Sequence, residues 1–365
     1  MMNPATKLAG LYDQARRVSR SHGKSRWAQW SEIARLGRFP NCIGPSEYYE
    51  LELFDDKRLD WRQKSAFLGY RAIRNYERLN DRAWHATAND KLLFHSIMRG
   101  NGKATPDILA YVHPGNRQYA GAASLTDEHA LREFLAKTSA YPLFIKPSHG
   151  YFGVGTFLAT GFDTSQDCLL LKGGATVSPA KLLARLDKHL GEGLLIQACL
   201  QPASDIERVC GDRLSSVRLI VHLAHSGPRI IGANWKIPAG ENIVDNTAGW
   251  SNGNLVAGVD HRTGQVARLV QACSDGMIED VQQHPDTGHR ILDTQVPLWA
   301  ETVACALDAS TLFPGIRLQG WDIVATRQGV MALEVNLVTS STVFATQLVT
   351  RRGLLDDMLR DEMSQ

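Results

Sequence analysis

Two stretches near the C-terminus hold the densest chemistry: Trp321-Asp322-Ile323-Val324-Ala325 and Met331-Ala332-Leu333-Glu334-Val335-Asn336, with Gly329 between them. Both are apolar runs interrupted by oxygen-donor side chains. A three-residue closure, Arg327-Gln328-Gly329, with glycine in the left-handed position, is a common way to join two strands. In that register Asp322 lies opposite Glu334, and Asn336, two residues on, points to the same face. Two carboxylates so close do not both ionise cheaply. A divalent cation removes the conflict, and all-oxygen donors suit Mg, with Mn as the alternative. The bland alternative is a hairpin with one wet face, but wet faces usually carry Lys, Thr or Arg as well.

A second constellation is Phe144-Ile145-Lys146-Pro147-Ser148-His149-Gly150-Tyr151-Phe152-Gly153-Val154-Gly155. A lysine ending a buried strand, followed by a glycine-rich turn, suits phosphate: glycines let backbone N–H groups approach an anion, and the ammonium adds a point charge. Three glycines can equally be only a turn. Other phosphate and hydrolase signatures fail. Gly23-Lys24-Ser25 ends like a phosphate-binding loop, but position 18 is Val where that loop needs Gly. HExxH and GxSxG are both missing.

The elements that would position these groups are interleaved helices and strands. The first 85 or so residues read as a charged helical layer with aromatic residues at Tyr48, Tyr49, Phe54, Trp61, Phe67, Tyr70 and Tyr76, packing on the main body or lining a pocket. Asn89 looks like an N-cap for a helix with apolar positions 93, 94, 97 and 98, ended by Gly100 and Gly102. Strands are expected at 143–145, 156–160, 194–196, 216–223, 229–237, 320–325 and 330–335. Ser178-Pro179 opens a helix that Gly191 closes, and a last helical segment spans about 343–363. Strands arriving as hairpins favour α+β lobes over a doubly wound sheet. The expected division is a helical region 1–85, a small lobe 86–198 and a metal-binding lobe 199–365.

Composition narrows the classes. The 365 residues can bury a large core. A net charge of +2 gives no bulk reason to expect nucleic acid or a membrane surface. Six scattered cysteines without a CxxC pair read as reduced core or strand residues. No window reaches the roughly 18 apolar residues of a membrane span, and residues 1–17 contain no stretch like a secretion signal. The expected location is the cytoplasm; oligomeric state is left open.

The ordered set of strand-Lys-Pro, glycine-rich loop, apolar strand into a linker, Arg-bearing strand, Gly-Trp-Asp and Glu-x-Asn resembles the ATP-grasp superfamily, and within it the sugar-transfer-associated branch. The stretches that carry the resemblance are 89–91, 144–155, 196–197, 215–218, 244–246, 284–288, 320–322 and 333–336. It implies an ATP-grasp fold, two α+β lobes gripping a nucleotide, with ATP and Mg as cofactors. By position, it implies that Lys146 and Lys91 contact nucleotide phosphates. Gly150, Tyr151, Phe152, Gly153 and Gly155 would form a mobile lid over them. Gln197, Ala198, Cys199 and Leu200 would be the linker beside the adenine. Asp322, Glu334 and Asn336 would be the metal ligands, and Arg218 would face the transferred phosphoryl group. Lys236, Asp245 and Asn246 would border the acceptor pocket, although Asp245 and Asn246 also suit turn caps; His284-Pro285 reads as a structural loop. The pattern departs at Ala198, where family members usually have an acid, so Asp205 is the candidate for the ribose contact.

The expected reaction is ligation. A small-molecule carboxylate and ATP give an acyl-phosphate, which an amine, or less often a thiol or hydroxyl, displaces to form a C–N bond. The alternatives are a small-molecule kinase using the same residues and a nucleotide-binding module without turnover.

Overall fold

The structure, a computed structural model, describes residues 4–149, 155–184, 193–247, 250–273 and 278–359. An N-terminal helical layer comes first: α1 (Pro4–His22), α2 (Arg26–Leu36), α3 (Pro45–Glu50), α4 (Trp61–Lys64) and α5 (Tyr70–Tyr76). Leu11, Ala15 and Val18, spaced four and three, give α1 one buried face, and Ile33 and Leu36 do the same for α2. Tyr48, Tyr49 and Phe67 are buried in this cluster, and Tyr70 stacks on Phe344 at 4.6 Å, which ties the layer to the C-terminal part. From Trp61 the layer consists of short helical pieces. Gly69 starts α5, and a Cβ there would lie 2.5 Å from the Cys42 carbonyl, so the chain passes too close to the 42–43 backbone for any other residue.

Two short helices follow, α6 (His85–Asn89) and α7 (Lys91–Gly100). The cap of α7 is Asp90, not Asn89: its carboxylate accepts from the N–H groups of Leu92 (2.9 Å) and Leu93 (3.4 Å), while Asn89 ends α6. The inward face carries Leu92, Phe94, His95 and Met98, and Leu93 is exposed.

The first sheet comprises β1 (Ile108–Val112), β2 (Ala123–Leu125), β3 (Leu143–Pro147), β4 (Phe157–Asp163), β5 (Cys168–Leu171), β6 (Thr176–Val177) and β7 (Leu194–Ala198), ordered β2-β1-β7-β3-β4-β5-β6. Helices α8 (Glu128–Lys137) and α9 (Pro179–Leu183) belong to this region, and Ser178 caps α9 as expected. The β1–β2 pair is parallel and the other pairs are antiparallel.

Helix α10 (Ser204–Cys210) leads to the second sheet, of β8 (Ser216–Ala224), β9 (Gly227–Ile237), β10 (Leu255–Val259), β11 (Val266–Ala272), β12 (Ile278–Asp280), β13 (Leu318–Thr326) and β14 (Gly329–Leu337). Its order is β12-β11-β10-β9-β8-β13-β14, antiparallel throughout. One face packs on α11 (Trp299–Ser310) in a core containing Trp235, Trp321, Phe313 and, from α7, Phe94 and Met98. The buried indoles are satisfied: Trp235 Nε1 donates to Ser215 Oγ (2.9 Å) and Trp321 Nε1 to Gln319 Oε1 (2.7 Å). The other face is covered over β9 to β11 by α12 (Ser340–Thr350), followed by α13 (Leu355–Leu359). The expected single C-terminal helix is broken because Arg351 turns left-handed and a Cβ at Gly353 would lie 2.1 Å from the Ala66 backbone. Helix α7 serves both sheets, since Leu92 packs with Ile108, Tyr111 and Leu195 while Phe94 and Met98 join the second core.

Candidate active site

The C-terminal hairpin sets the site. Asp322 pairs with Glu334, as the residue spacing required, but by a different route. Thr326 pairs with Gly329, so the turn has two residues, not three, and Leu333 is an extra residue between the Asp322–Glu334 and Ile323–Ala332 pairs. The two deviations cancel. The bulge has a consequence of its own, because a bulge re-aims a side chain: Leu333 lines the cleft next to the Asp322–Glu334 pair.

Cross-strand neighbours across β8, β13 and β14 put Arg218, Asp322 and Glu334 in one row on one face. Arg218 grips Asp322 with both arms, Nε on Oδ1 and a terminal nitrogen on Oδ2 at 2.7 Å. Lys236 Nζ reaches Asp322 Oδ2 at 3.1 Å and Asp245 Oδ1 at 3.6 Å. Asn336 Nδ2 donates to Glu334 Oε1 at 3.0 Å, so the amide and the carboxylate do share a face. Asp322 is 6% exposed. Burial alone would raise its pKa, but Arg218 and Lys236 outweigh that and hold the carboxyl well below the usual range. Burial likewise opposes charge on Arg218, and Asp322 overcomes it. Asp245 behaves oppositely: burial and the nearby Asp322 charge push its carboxyl up, against Lys236 and the hydrogen bonds from Ser216 N (2.9 Å) and Oγ.

Lys146 approaches from the first sheet. Its pKa is pulled down to about 8, chiefly by burial and then by the neighbouring Lys91 ammonium, with Glu334 acting in the other direction. Lys91 opens α7 beside the end of β3, where its N–H donates to Ser148 O at 3.1 Å. Behind them His95 is fully buried, between Thr105 Oγ1 (2.7 Å from Nδ1) and Gln197 Nε2 (3.5 Å from Nε2).

An apolar-walled cleft of about 840 Å³, part of it open to solvent, lies between the two sheets. Phe144, Lys146 and Leu158 come from the first sheet, and Val324 and Leu333 from the second. Gln197, Ala198, Cys199 and Leu200, the residues expected as the linker, also line it. That linker is pinned to the C-terminal hairpin by Ala203 N to Ala325 O (3.0 Å) and Arg327 N to Gln201 O (3.1 Å).

Four of the expected nucleotide-contacting residues, Gly150, Tyr151, Phe152 and Gly153, lie outside the described residues. Gly155 is described, with φ of +76° and a Cβ that would meet Pro147 at 3.2 Å, so the turn does require glycine there. Asp205 is not in the cleft; it is an exposed residue of α10 paired with Arg208. Asp212, 3.1 Å from Lys172, does line the cleft, and residue spacing gave no way to find it. Asp245 lines the cleft as well, whereas Asn246 is tied through its carbonyl to Asn252 (2.7 Å) and Asn254 (2.6 Å). Asn254, fully buried, also bonds Ala239 N and Val244 O and so shapes the whole loop that presents Asp245. His284 is structural, with Nε2 on Pro238 O at 2.9 Å and Nδ1 facing the N–H groups of Asp286 and Thr287.

Asp322, Glu334 and Asn336 supply donor types that a hard cation takes, two carboxylates and one amide on adjacent strands, while in this structure Arg218 and Lys236 engage both oxygens of Asp322. Among the described residues no group of three or more His, Cys, Asp and Glu side chains is placed to hold a metal ion. Lys91, Lys146, Arg218 and Lys236 face three carboxylates, Asp322, Glu334 and Asp245, leaving an excess of positive charge where a polyanion would enter. No helix of the described residues is long and apolar enough to cross a membrane.

A protein-family model described as sugar-transfer associated ATP-grasp matches residues 70–361. No curated protein matches the chain. Solved structures similar to it include the VanG D-Ala:D-Ser ligase from Enterococcus faecalis, at 14% identity and a TM-score of 0.41 over 78% of this chain and 63% of that one. The D-alanine-D-alanine ligase from Coxiella burnetii follows at 12% and 0.41, over 80% and 66%. The biotin carboxylase from Campylobacter jejuni stands at 11% and 0.44, over 75% and 46%. The chain thus spans less than two thirds of the length of each.

Proposed function

The chain belongs to the sugar-transfer associated ATP-grasp family, and on that premise we propose that it is an ATP-dependent ligase that activates a small-molecule carboxylate as an acyl-phosphate. The observation that carries this reading is the meeting of Lys146 and Lys91 with the Arg218–Asp322–Glu334 row at one end of an apolar cleft. The adenine would lie between Phe144 and Leu158 on one side and Val324 and Leu333 on the other, against the 197–200 linker. Asp212 is better placed than Asp205 for the ribose. Lys146 and Lys91 would hold the phosphates.

Asp322, Glu334 and Asn336 would hold Mg, which when bound supplies neutralisation of phosphate charge. Lys236, between Asp322 and Asp245, helps hold Asp322 ionised, and Arg218, turned toward the same row, would orient the transferred phosphoryl group. A carboxylate oxygen of the substrate attacks the γ-phosphorus and ADP leaves. An amine then attacks the acyl carbon and phosphate leaves. Neither step needs a side-chain nucleophile.

The test is an ADP-release screen of paired amino acids, sugar acids and small peptides, with hydroxylamine added to the productive pairs. Hydroxamate formation is the expected result. ADP release with a phosphorylated hydroxyl product and no hydroxamate would make the protein a small-molecule kinase instead.

A further inference from the structure

The net charge of +2 is the sum of two unlike regions. Residues 1–40 contain eight Lys and Arg against two Asp and Glu, a net of +6, so the remainder is acidic. This basic segment lies outside the family match, which begins at residue 70. Its one buried lysine is neutralised in place: Lys24 and Lys64 share Glu32 and Asp56. The six arginines of the segment are all exposed.

Between them stand large apolar side chains in water. Trp27 is 81% exposed, Phe39 78% and Leu8 65%, with Tyr12 at 52% and Trp30 at 39%. Leu8 and Tyr12 are one turn apart on α1, and Trp27 and Trp30 are three apart on α2, so each pair shares a helix face. Arginine links the elements. Arg26 of α2 bonds the Tyr12 hydroxyl of α1 and lies over its ring, and Arg35 stacks 3.8 Å above the ring of Trp61, itself partly exposed. Isolated exposed apolar residues are ordinary; aromatic residues gathered in one helical layer and interleaved with cations of one sign are not.

We infer that this layer is a peripheral docking surface for an anionic lipid bilayer. Indole and phenyl rings settle at the boundary between headgroups and acyl chains, where an apolar body and a polar edge are both satisfied. Arginines beside them meet lipid phosphates and carboxylates, and their stacking on Tyr12 and Trp61 keeps the charge close to the apolar rings. The helices lie on the surface rather than span it, since α1 and α2 already bury their apolar faces against the protein. The active-site cleft uses none of these residues, so docking would place the enzyme at a membrane without occupying its site.

The full chain is mixed with sedimentable vesicles of phosphatidylcholine alone and of phosphatidylcholine and phosphatidylserine in equal parts. Cosedimentation with the anionic vesicles only, reversed by high salt, is expected. The double variant Trp27→Ser, Phe39→Ser should weaken this association by at least about tenfold, and Arg26→Gln with Arg38→Gln should weaken it comparably, while circular dichroism and ATP binding stay as in the wild type. Equal binding to neutral vesicles, no binding to anionic ones, or binding indifferent to these variants would overturn the proposal. So would a wild-type oligomer that the tryptophan–phenylalanine variant dissociates, which would mean that a second copy covers the face, or equally tight, variant-sensitive binding of single-stranded RNA.

Discussion

At the scale of single residues, the proposed chemistry depends on charge held where burial opposes it. Glu334 accepts from Asn336 and stands opposite Asp322. Glu334→Gln keeps shape and hydrogen-bonding capacity but loses the charge that would hold Mg. Turnover should fall by at least about a hundredfold, the scale of losing one preorganised charged contact, with an unchanged unfolding midpoint; wild-type activity would remove the metal assignment. Lys146 yields a pH prediction. Phosphate binds the ammonium, whose pKa in the free protein is about 8. Nucleotide affinity should therefore be level at acid and neutral pH and fall as pH rises through 8, approaching tenfold per unit. Calorimetry from pH 6.5 to 9 measures it, and a level profile would mean that Lys146 is not the phosphate contact.

At the scale of elements, the hairpin shows what spacing conveys and what it does not. Alternation within β13 and β14 made the Asp322–Glu334 pairing legible, because side-chain direction has period two whatever the turn. The two-residue turn and the Leu333 bulge were not legible, since a turn one residue shorter and one bulged residue leave the same pairing beyond them. Lys146 at a strand end and Ser178-Pro179 at a helix start were likewise local signals. The Arg218–Asp322 grip was not local: it depends on β8 lying beside β13, about a hundred residues apart in the chain. For the same reason Asp212 and Asn254 escaped notice; β1, β2, β5, β6 and β10 to β12 were missed as well. Gln319 is another residue whose role only the packing reveals. Its Nε2 lies within 3.1 Å of the carbonyls of Ser310, Phe313 and Ile316, while its Oε1 accepts from Trp321. Gln319→Ala would leave carbonyls at the end of α11 and a buried indole unpaired. It should cost about 3 kcal/mol in urea unfolding; a loss under about 1 kcal/mol would show that those groups find other partners.

At the scale of the whole molecule, α7 and the 199–203 linker join two seven-stranded sheets around one cleft. His95 sits at that junction. Burial first, then Lys146, Arg99 and Lys91, hold its pKa down to about 3, against about 6.5 in an unfolded chain. Between those values the unfolded chain binds more protons, so stability is full above about pH 6.5 and declines as pH falls toward 3, by up to about 1.4 kcal/mol per pH unit from this residue. Urea midpoints at pH 7 and 5 should separate in the wild type and come closer together in His95→Gln; an equal separation in both would place the acid sensitivity elsewhere. Net charge was misleading at this scale, because a total of +2 conceals the basic N-terminal layer.

The central claim is that nucleotide phosphates are held in the cleft by Lys146, opposite the Arg218–Asp322–Glu334 row. Calorimetric titration of Mg-ATP into the wild type and Lys146→Ala at neutral pH tests it most directly. The variant should bind at least about tenfold more weakly, a loss of about 1.4 kcal/mol or more, with its fold intact by circular dichroism. Equal affinities in the two proteins would contradict the claim, and the nucleotide would have to be sought elsewhere in the fold.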